Sequence, residues 1–267
     1  MMLKINVSRT LKNDSREKMN KISIVLITKN EESCIQECLD SLIAFDEVII
    51  YDNGSTDNTL EIAKQYKNIQ ISEGEFFGFG QTKKHAVSLA TNEWVFSLDA
   101  DEVMSQELVH ELLDMQLSNG TVYQVRRDNY YNNKHIKCCG WYPETIIRLF
   151  NKNDTDFNEV AVHEEIEKKD LIQKQLHNPI KHFSFHSVAD FIDKIQKYSE
   201  IYADEHKGKK SSSILKAIFR GKSMFIKSYI IKGGFKCGFE GFVISFFAGL
   251  GTCVKYLKLR EKNLYDS

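Results

Sequence analysis

Short apolar runs that alternate with amphipathic segments constrain the fold of the first 115 residues. Four runs are short and rich in β-branched residues, as buried strands are: ISIVLI at 22–27, VIIY at 48–51, NIQI at 68–71 and WVFSL at 94–98. Segments with apolar residues at helical spacing follow the first three runs, and another helix is expected from Ser105 to about Met115. This alternation predicts an α/β fold with a mostly parallel sheet and helices on both faces.

Polar residues follow three of the predicted strands. TKNEE comes after the first strand, DNGSTD after the second and DADE after the fourth. Because ligands bind at the carboxyl ends of parallel strands, these segments predict a binding cleft at one sheet edge. Asp99 and Asp101 form a D-x-D pair suited to a hard divalent cation, which in turn can bind a diphosphate. Alternatively, Asp101 only caps the helix that follows.

The distribution of charge separates the C-terminal part from the rest of the chain. The net charge is −1, yet residues 207–262 contain thirteen Lys/Arg and two acids. A basic tail on an acidic body predicts an anionic partner, either a membrane surface or nucleic acid. Since no nucleic-acid recognition motif accompanies the charge, we expect the inner-leaflet membrane surface and no nucleic acid.

The same tail contains an apolar stretch, GFVISFFAGLGTCV, at 241–254. It is shorter than the ~20 residues that a membrane span needs, so we expect a helix buried in the domain or lying in the membrane interface. Lysines and aromatic residues interleave around it, which favours a peripheral membrane attachment. The alternative is a C-terminal helical pair that completes the core.

The cysteines and the N-terminal residues bear on the cellular compartment. None of the six cysteines forms a spaced pair of CxxC motifs, so we expect no structural zinc. Residues 1–20 are polar and lack the apolar core of a signal peptide, and we interpret them as an N-terminal extension. Together these features predict a cytoplasmic protein with free thiols.

Several motifs resemble a known family. TKNEE, YDNGSTDNT, GFGQTKKHA and SLDADE, in this order, resemble the family 2 glycosyltransferases of the GT-A fold. GWYPETIIRLF, VHEEIE and KHFSFHSVADFIDKIQKYSEIYADE resemble the beta-1,4-glucosyltransferase-like branch of the lipopolysaccharide inner-core enzymes. The resemblance implies a GT-A catalytic domain at 21–190, a C-terminal helical region at 191–267, and an inverting, hexosyltransferase-like enzyme. Its donor would be a nucleotide sugar and its acceptor a lipid-linked oligosaccharide.

The resemblance also implies a set of site residues. Those expected to bind the donor are Thr28, Asn30, Glu31, Asp52, Asn53, Lys83, Asp99, Gly140 and Trp141. Those expected to hold Mg²⁺ or Mn²⁺ are Asp101, Asp99 and His182, with Asp101 as the direct ligand and Asp99 facing mainly the donor and metal-bound water. Glu164 matches the catalytic base, and Glu144 is the second candidate.

Asn53 departs from the family pattern, and several other assignments compete with simpler interpretations. Asn53 stands where the family often has an aspartate that accepts a hydrogen bond from the ring N–H of the nucleotide base. The amide oxygen of Asn53 can accept that hydrogen bond, so we expect a preference for UDP-sugars. Lys83 can instead be a surface lysine of an amphipathic helix, and Trp141 can be ordinary core packing. Glu164 can be a solvated residue of the charged patch EEIEKKD, and His182 an ordinary polar histidine.

Two other functions remain open from the sequence. A sugar-phosphate nucleotidyltransferase has a similar sheet and metal, but ITKNEES lacks the glycine- and arginine-rich first loop expected of that class. A non-catalytic nucleotide-sugar-binding relative is the other alternative, and the intact acids argue against it. Release of nucleoside diphosphate, rather than pyrophosphate, distinguishes a glycosyltransferase from a nucleotidyltransferase.

Overall fold

The structure is a computed structural model that describes residues 20–158, 165–168 and 170–265. The chain divides into two compact units. The first unit runs to Ala100 and adds Met104–Val125 and Ile147–Asn178; the second contains Asp101–Val103, Arg126–Ile146 and the residues from Pro179 onward. Residues 1–19 of the predicted extension and the predicted base, Glu164, lie outside the described residues.

Strands and helices alternate through the first half of the chain, and helices dominate its end. The strands are β1 Ile22–Thr28, β2 Glu47–Asp52, β3 Ile69–Glu73, β4 Trp94–Ser97, β5 Glu102–Met104, β6 Thr121–Tyr131, β7 Lys134–His135, β8 Glu144–Asn151, β9 Ile172–Gln175 and β10 Ile180–Phe185. The helices are α1 Ile35–Asp40, α2 Thr59–Ala63, α3 Phe79–Ser88, α4 Gln106–Asp114, α5 Val188–His206, α6 Ile214–Ile226 and α7 Gly238–Tyr265.

The first unit is built on a mostly parallel sheet. Its strands lie in the order β3-β2-β1-β4-β8, where β4 and β8 pair antiparallel and the other neighbours are parallel. β1 and β2 are buried along almost their whole length, which explains their continuous apolar sequences. The predicted α/β class and the four predicted strands are confirmed, and so are the intervening helices.

Parallel pairing brings the polar strand ends to one edge of this sheet. Thr28 at the end of β1 pairs in register with Asp52 at the end of β2, and Val25 pairs with Ser97 of β4. Asp99 therefore follows a central strand. The predicted helix after the D-x-D motif is α4, which begins after Ser105, whose side chain caps the Leu108 N–H.

The second unit contains the C-terminal part of β6, the whole of β10 and the C-terminal helices. Its apolar core joins Tyr131, Ile136, Phe191, Val243 and Ile244. A reciprocal cap between Ser187 and Asp190 starts α5.

Two of the six cysteines are linked in this unit. Cys138 and Cys237 form a disulfide across 99 residues of sequence, so the expectation of free thiols is wrong for this pair. The physical reason is packing: Cys138 lies in the apolar core of the second unit, and Cys237 packs against that core. No local motif announces a bond between residues so distant in sequence.

The apolar stretch at 241–254 lies within α7. α7 and the short helical turn before it form the segment Gly234–Tyr265. In the described part of the chain this segment is long and apolar enough to cross a membrane, and 28% of its most apolar window is buried. Core helices of other proteins meet the same criteria of length and composition. α7 packs against α6, and Gly221 and Gly249 permit the approach, because a Cβ atom on Gly221 would lie 3.0 Å from the Gly249 carbonyl oxygen.

Candidate functional site

Asp52 organises the loop that follows β2. Its buried carboxylate accepts hydrogen bonds from the Thr28 hydroxyl at 3.0 Å and from the backbone N–H groups of Gly54 and Ser55 at 2.9 and 2.8 Å. Gly54 has a φ of +84°, a conformation that glycine adopts without steric cost. Asp52, predicted to bind the donor, therefore holds the loop in shape through both of its oxygens.

The loops after β1 and β2 are joined to each other. The Asn30 side-chain oxygen accepts from the Thr56 N–H at 2.7 Å, and the Asn30 N–H donates to the Ser55 hydroxyl at 2.9 Å. The Glu31 N–H donates to the Thr59 hydroxyl at 2.8 Å. The predicted donor-binding residues of these two loops thus lie together on the edge where the parallel strands end.

Asn53 has a defined amide orientation. Its side-chain nitrogen donates to the backbone carbonyls of Gly74 and Glu75 at 3.3 and 3.2 Å. A carbonyl oxygen only accepts, so the amide nitrogen must occupy that side and the amide oxygen the other. Asn53 therefore presents an acceptor, as the aspartate that it replaces in the family pattern would.

Asp99 is held between two basic side chains of the first unit. Lys83 Nζ lies 2.9 Å from Asp99 Oδ1, and the Arg148 guanidinium donates to Oδ2. Burial alone would raise the pKa of the Asp99 carboxyl, but the charges and hydrogen bonds of Arg148 and Lys83 outweigh it and hold the pKa well below its ordinary value. Lys83 is buried rather than a surface lysine, and its ammonium lies 5.5 Å from the centre of the Phe157 ring.

Asp101 faces His182 in the second unit. Asp101 Oδ2 lies 3.3 Å from His182 Nε2. His182 belongs to β10, where it pairs with Asn129 of β6, and its Nδ1 lies 2.6 Å from the Asn129 side-chain oxygen. The Ser184 hydroxyl also contacts both ring nitrogens of His182.

These contacts test whether a divalent cation fits. Neighbouring ligands of an octahedral ion at about 2.1 Å lie about 3 Å apart, which matches the spacing of the Asp101 oxygen and the His182 nitrogen. In the described residues no group of three or more His, Cys, Asp and Glu side chains is arranged as a metal site. The chain thus offers two ligands of suitable chemistry, and Asp99, the third predicted one, is engaged by Lys83 and Arg148.

Glu144, the second candidate base, is bound by Arg127 and Asn129. Arg127 makes a two-point contact with both carboxylate oxygens at 2.6 and 3.0 Å, and Asn129 donates to one of them at 2.7 Å. Burial raises the pKa of Glu144, but these hydrogen bonds and the Arg127 charge outweigh it and lower the pKa below its ordinary value. Arg127 also lies 3.4 Å from the buried Glu102 carboxylate. A carboxylate so stabilised is a weak proton acceptor.

Trp141 packs against the apolar core of the second unit, and the neighbouring Gly140 is exposed. Gly140 has a φ of +80°, and the Lys232 side chain occupies the space that a Cβ atom would need. Trp141 stacks on Phe185 with ring centres 5.6 Å apart. Packing therefore accounts for Trp141 in this structure, and the predicted contacts of both residues with a donor sugar stay predictions.

Three polar residues of the site were not anticipated: Arg127, Asn129 and Arg148. Arg148 interrupts the apolar strand sequence TIIRLF, and a charge inside such a strand is the one signal that could have indicated it. The others lie among polar neighbours, and their partners are 15 to 53 residues away in sequence.

Comparison with known proteins places this arrangement in a family. Residues 23–186 match Glycosyl transferase family 2, more than half of the 267-residue chain. An uncharacterized glycosyltransferase of Rickettsia typhi is 32% identical over 264 residues, which cover 92% of this chain and 89% of that protein. The lipopolysaccharide core biosynthesis glycosyltransferase LpsC of Rhizobium meliloti is 26% identical over 235 residues, covering 83% and 85%.

A solved structure extends over most of the chain as well. S. aureus TarS 1–349 in complex with UDP is 17% identical, covers 93% of this chain and 92% of that one, and has a TM-score of 0.43. The family assignment rests on the sequence matches, which agree with the parallel sheet described above. The chain belongs to the family 2 glycosyltransferases and has their GT-A type α/β fold.

Proposed function

We propose that the enzyme is an inverting glycosyltransferase that moves a sugar from a nucleoside diphosphate sugar to a hydroxyl of a lipid-linked oligosaccharide of the lipopolysaccharide-core type. The observation that carries the reaction type is the family match, together with the contact between Asp101 of the D-x-D motif and His182. The acceptor class is supported by the name of the Rhizobium meliloti relative, whose similarity covers 83% of this chain.

Asp101 and His182 would hold Mg²⁺ or Mn²⁺. When bound, such a cation supplies positive charge that stabilises the departing nucleoside diphosphate. Asp99 has a different role in this proposal: Lys83 and Arg148 keep it ionised and fixed, so that it accepts hydrogen bonds from donor hydroxyls. The two aspartates of one motif thus serve cation and sugar separately.

Uridine is the preferred base. The Asn53 amide oxygen is the atom left to receive a hydrogen bond once its nitrogen is used by Gly74 and Glu75. The ring nitrogen of uracil carries a hydrogen and donates, whereas the corresponding nitrogen of cytosine accepts. We therefore expect UDP to bind more tightly than CDP.

Glu164 is the proposed base. Transfer requires a group that takes the proton of the acceptor hydroxyl as it attacks the anomeric carbon, and a carboxylate within hydrogen-bond reach is suited to this. Glu144 is the poorer choice because Arg127 and Asn129 bind its oxygens and its pKa is lowered. It is better suited to fixing Arg127.

An anionic membrane surface is the proposed partner of the second unit. α6 and the turns after it expose large apolar side chains, of which Leu215 is 80% and Phe219 70% exposed. The others on these segments are Ile214, Ile218, Met224, Ile226, Ile230, Ile231 and Phe235, and Phe239 at the start of α7 is also exposed. No acidic residue occurs from Lys207 to Phe239, whereas exposed basic residues recur through the segment. Apolar side chains among lysines are the chemistry of a segment that enters the interface of a membrane rich in anionic lipids.

The reaction is tested with a panel of nucleoside diphosphate sugars, Mn²⁺ or Mg²⁺, and truncated glycolipid acceptors analysed by mass spectrometry. The expected products are a glycosylated acceptor and a nucleoside diphosphate, and release of pyrophosphate would overturn the proposal. The cation is tested by calorimetric titration of UDP into Asp101→Ala. This variant should lose the gain in UDP affinity that Mn²⁺ gives the wild type, whereas Asp193→Ala, an exposed acid on α5, should keep it. An undiminished Mn²⁺ effect in Asp101→Ala would contradict the assignment.

A further inference from the structure

Asn129 lies between the proposed cation ligand His182 and the carboxylate of Glu144. Its side chain is almost completely buried, with 7% of the residue exposed. The side-chain oxygen lies 2.6 Å from His182 Nδ1, and the side-chain nitrogen donates to Glu144 at 2.7 Å and to the Trp141 carbonyl at 3.0 Å. Every polar atom of the amide is thus engaged.

The partners of the Asn129 nitrogen determine which way the amide faces. The Trp141 carbonyl can only accept a hydrogen bond. The Glu144 carboxyl is ionised at neutral pH, because Arg127 and Asn129 stabilise its charge more than burial opposes it, so it too can only accept. A flipped amide would place its oxygen against two acceptors. The amide nitrogen must therefore face Glu144 and Trp141, and the oxygen must face His182.

This orientation determines where the proton of a neutral His182 ring lies. An amide oxygen accepts and cannot donate, so the hydrogen between it and the ring belongs to His182 Nδ1. A neutral imidazole carries one N–H, which leaves Nε2 with its lone pair. Nε2 is the atom 3.3 Å from Asp101 Oδ2. This carboxylate also only accepts, but its contact is the longer one, and the 2.6 Å contact between Nδ1 and Asn129 requires the hydrogen at Nδ1. The Ser184 hydroxyl contacts both ring nitrogens, but it can donate or accept and so does not select a tautomer.

We infer that Asn129 is a positioning residue that holds His182 in the Nδ1–H tautomer and leaves Nε2 free to ligate a divalent cation beside Asp101. The metal part of this inference rests on the proposed function; the tautomer does not. Partners of this kind fix the orientation and basicity of metal-binding histidines, and their loss typically weakens metal binding about 10–100-fold.

The tautomer is measured on metal-free protein with ¹⁵N-labelled histidine, by long-range ¹H–¹⁵N correlation at alkaline pH. The missing signal in His182→Ala identifies the residue. Wild type should show the Nδ1–H pattern. Asn129→Leu, which removes the acceptor, should shift His182 toward the Nε2–H form. Ser184→Ala removes another hydrogen-bonding partner of the same ring and should leave the tautomer unchanged.

Mn²⁺ affinity supplies the second readout. Asn129→Leu should weaken Mn²⁺ binding about 10–100-fold. An Nε2–H tautomer in the wild type overturns the inference, even if the leucine variant fails to fold, and so does an Asn129→Leu spectrum that keeps the Nδ1–H pattern. Wild-type Mn²⁺ affinity in His182→Ala would instead refute the proposed cation site, which the tautomer measurement does not depend on.

Discussion

Replacing Asp99 with asparagine tests how strongly the first unit depends on the Asp99 ion pairs. The Asp99 side chain is 28% exposed, while those of Lys83 and Arg148 are 8% and 6% exposed. Removing one partner of a buried ion pair typically costs about 3–5 kcal/mol, because a buried charge loses its counter-charge. Since part of Asp99 contacts solvent, we expect the lower end, about 3 kcal/mol. For a chain of this length that corresponds to a fall in Tm of about 6–12 °C.

The loss should depend on pH in a defined direction. Arg148 and Lys83 depress the folded-state pKa of Asp99 below its unfolded value of about 3.9. The stabilisation is therefore fully present above the unfolded pKa and is lost as pH falls through the folded pKa. Wild type and Asp99→Asn should differ by the same free energy of unfolding from about pH 7 to pH 5, and the difference should shrink below about pH 4.

Thermal denaturation followed by circular dichroism measures the effect, with two controls. Asp114→Asn makes the same chemical change at an exposed position of the same unit and should leave Tm within about 2 °C of wild type. In a Lys83→Met background one of the two buried cations is absent, so Asp99→Asn should cost at least about 0.5 kcal/mol less than in the wild type. A Tm of Asp99→Asn indistinguishable from that of Asp114→Asn would refute the reasoning.

Two further predictions concern the base and the membrane surface. Glu164→Gln should lower kcat about 10²–10⁴-fold with donor affinity unchanged. Glu144→Gln should mainly lower Tm, because Arg127 loses its two-point carboxylate partner. Near wild-type turnover in Glu164→Gln and no turnover in Glu144→Gln would show that Glu144, not Glu164, is the base. Cosedimentation with anionic vesicles should weaken at high salt. It should also fall in the double variant Leu215→Ser/Phe219→Ser, but not in Ile43→Ser, which changes an exposed apolar residue of the first unit. Equal binding to neutral vesicles would refute the proposed anionic membrane surface.

The elements that the sequence predicts well are those whose pattern is local. The apolar runs of β1, β2 and β4 are short and continuous because these strands are buried, and they are therefore visible without any knowledge of their neighbours. Parallel pairing then places the ends of β1 and β2 together, which made the loops at Asn30 and Asp52 predictable as one site. The resemblance to a family singled out Asp101 and His182 through motifs along the chain, and the structure places these two side chains 3.3 Å apart; their role as metal ligands stays a prediction.

The residues that escaped prediction are those whose role depends on a distant partner. Arg148 reaches Asp99 across 49 residues and Arg127 reaches Glu144 across 17. From the sequence alone, an arginine in a strand can equally be an exposed residue or the partner of a buried carboxylate, and only the fold shows which it is. The Cys138–Cys237 disulfide, closed across 99 residues, was missed for the same reason. Propensity and periodicity describe a residue and its near neighbours, whereas ion pairs and disulfides are properties of the packed chain.

The register of β10 shows how a local pattern nonetheless fixes a distant contact. Ile180 is fully buried and stands two residues before His182, so both side chains lie on the same face of the strand, while Lys181 lies exposed on the other. A shift by one residue would bury Lys181 and move His182 away from Asp101 and Asn129, because side chains alternate with a period of two. Burying a lysine in place of an isoleucine would destabilise the shifted register. The observed register, in which His182 lies opposite Asn129 in the parallel pairing with β6, is therefore favoured. In this segment an apolar side chain with no chemical role determines where the imidazole lies.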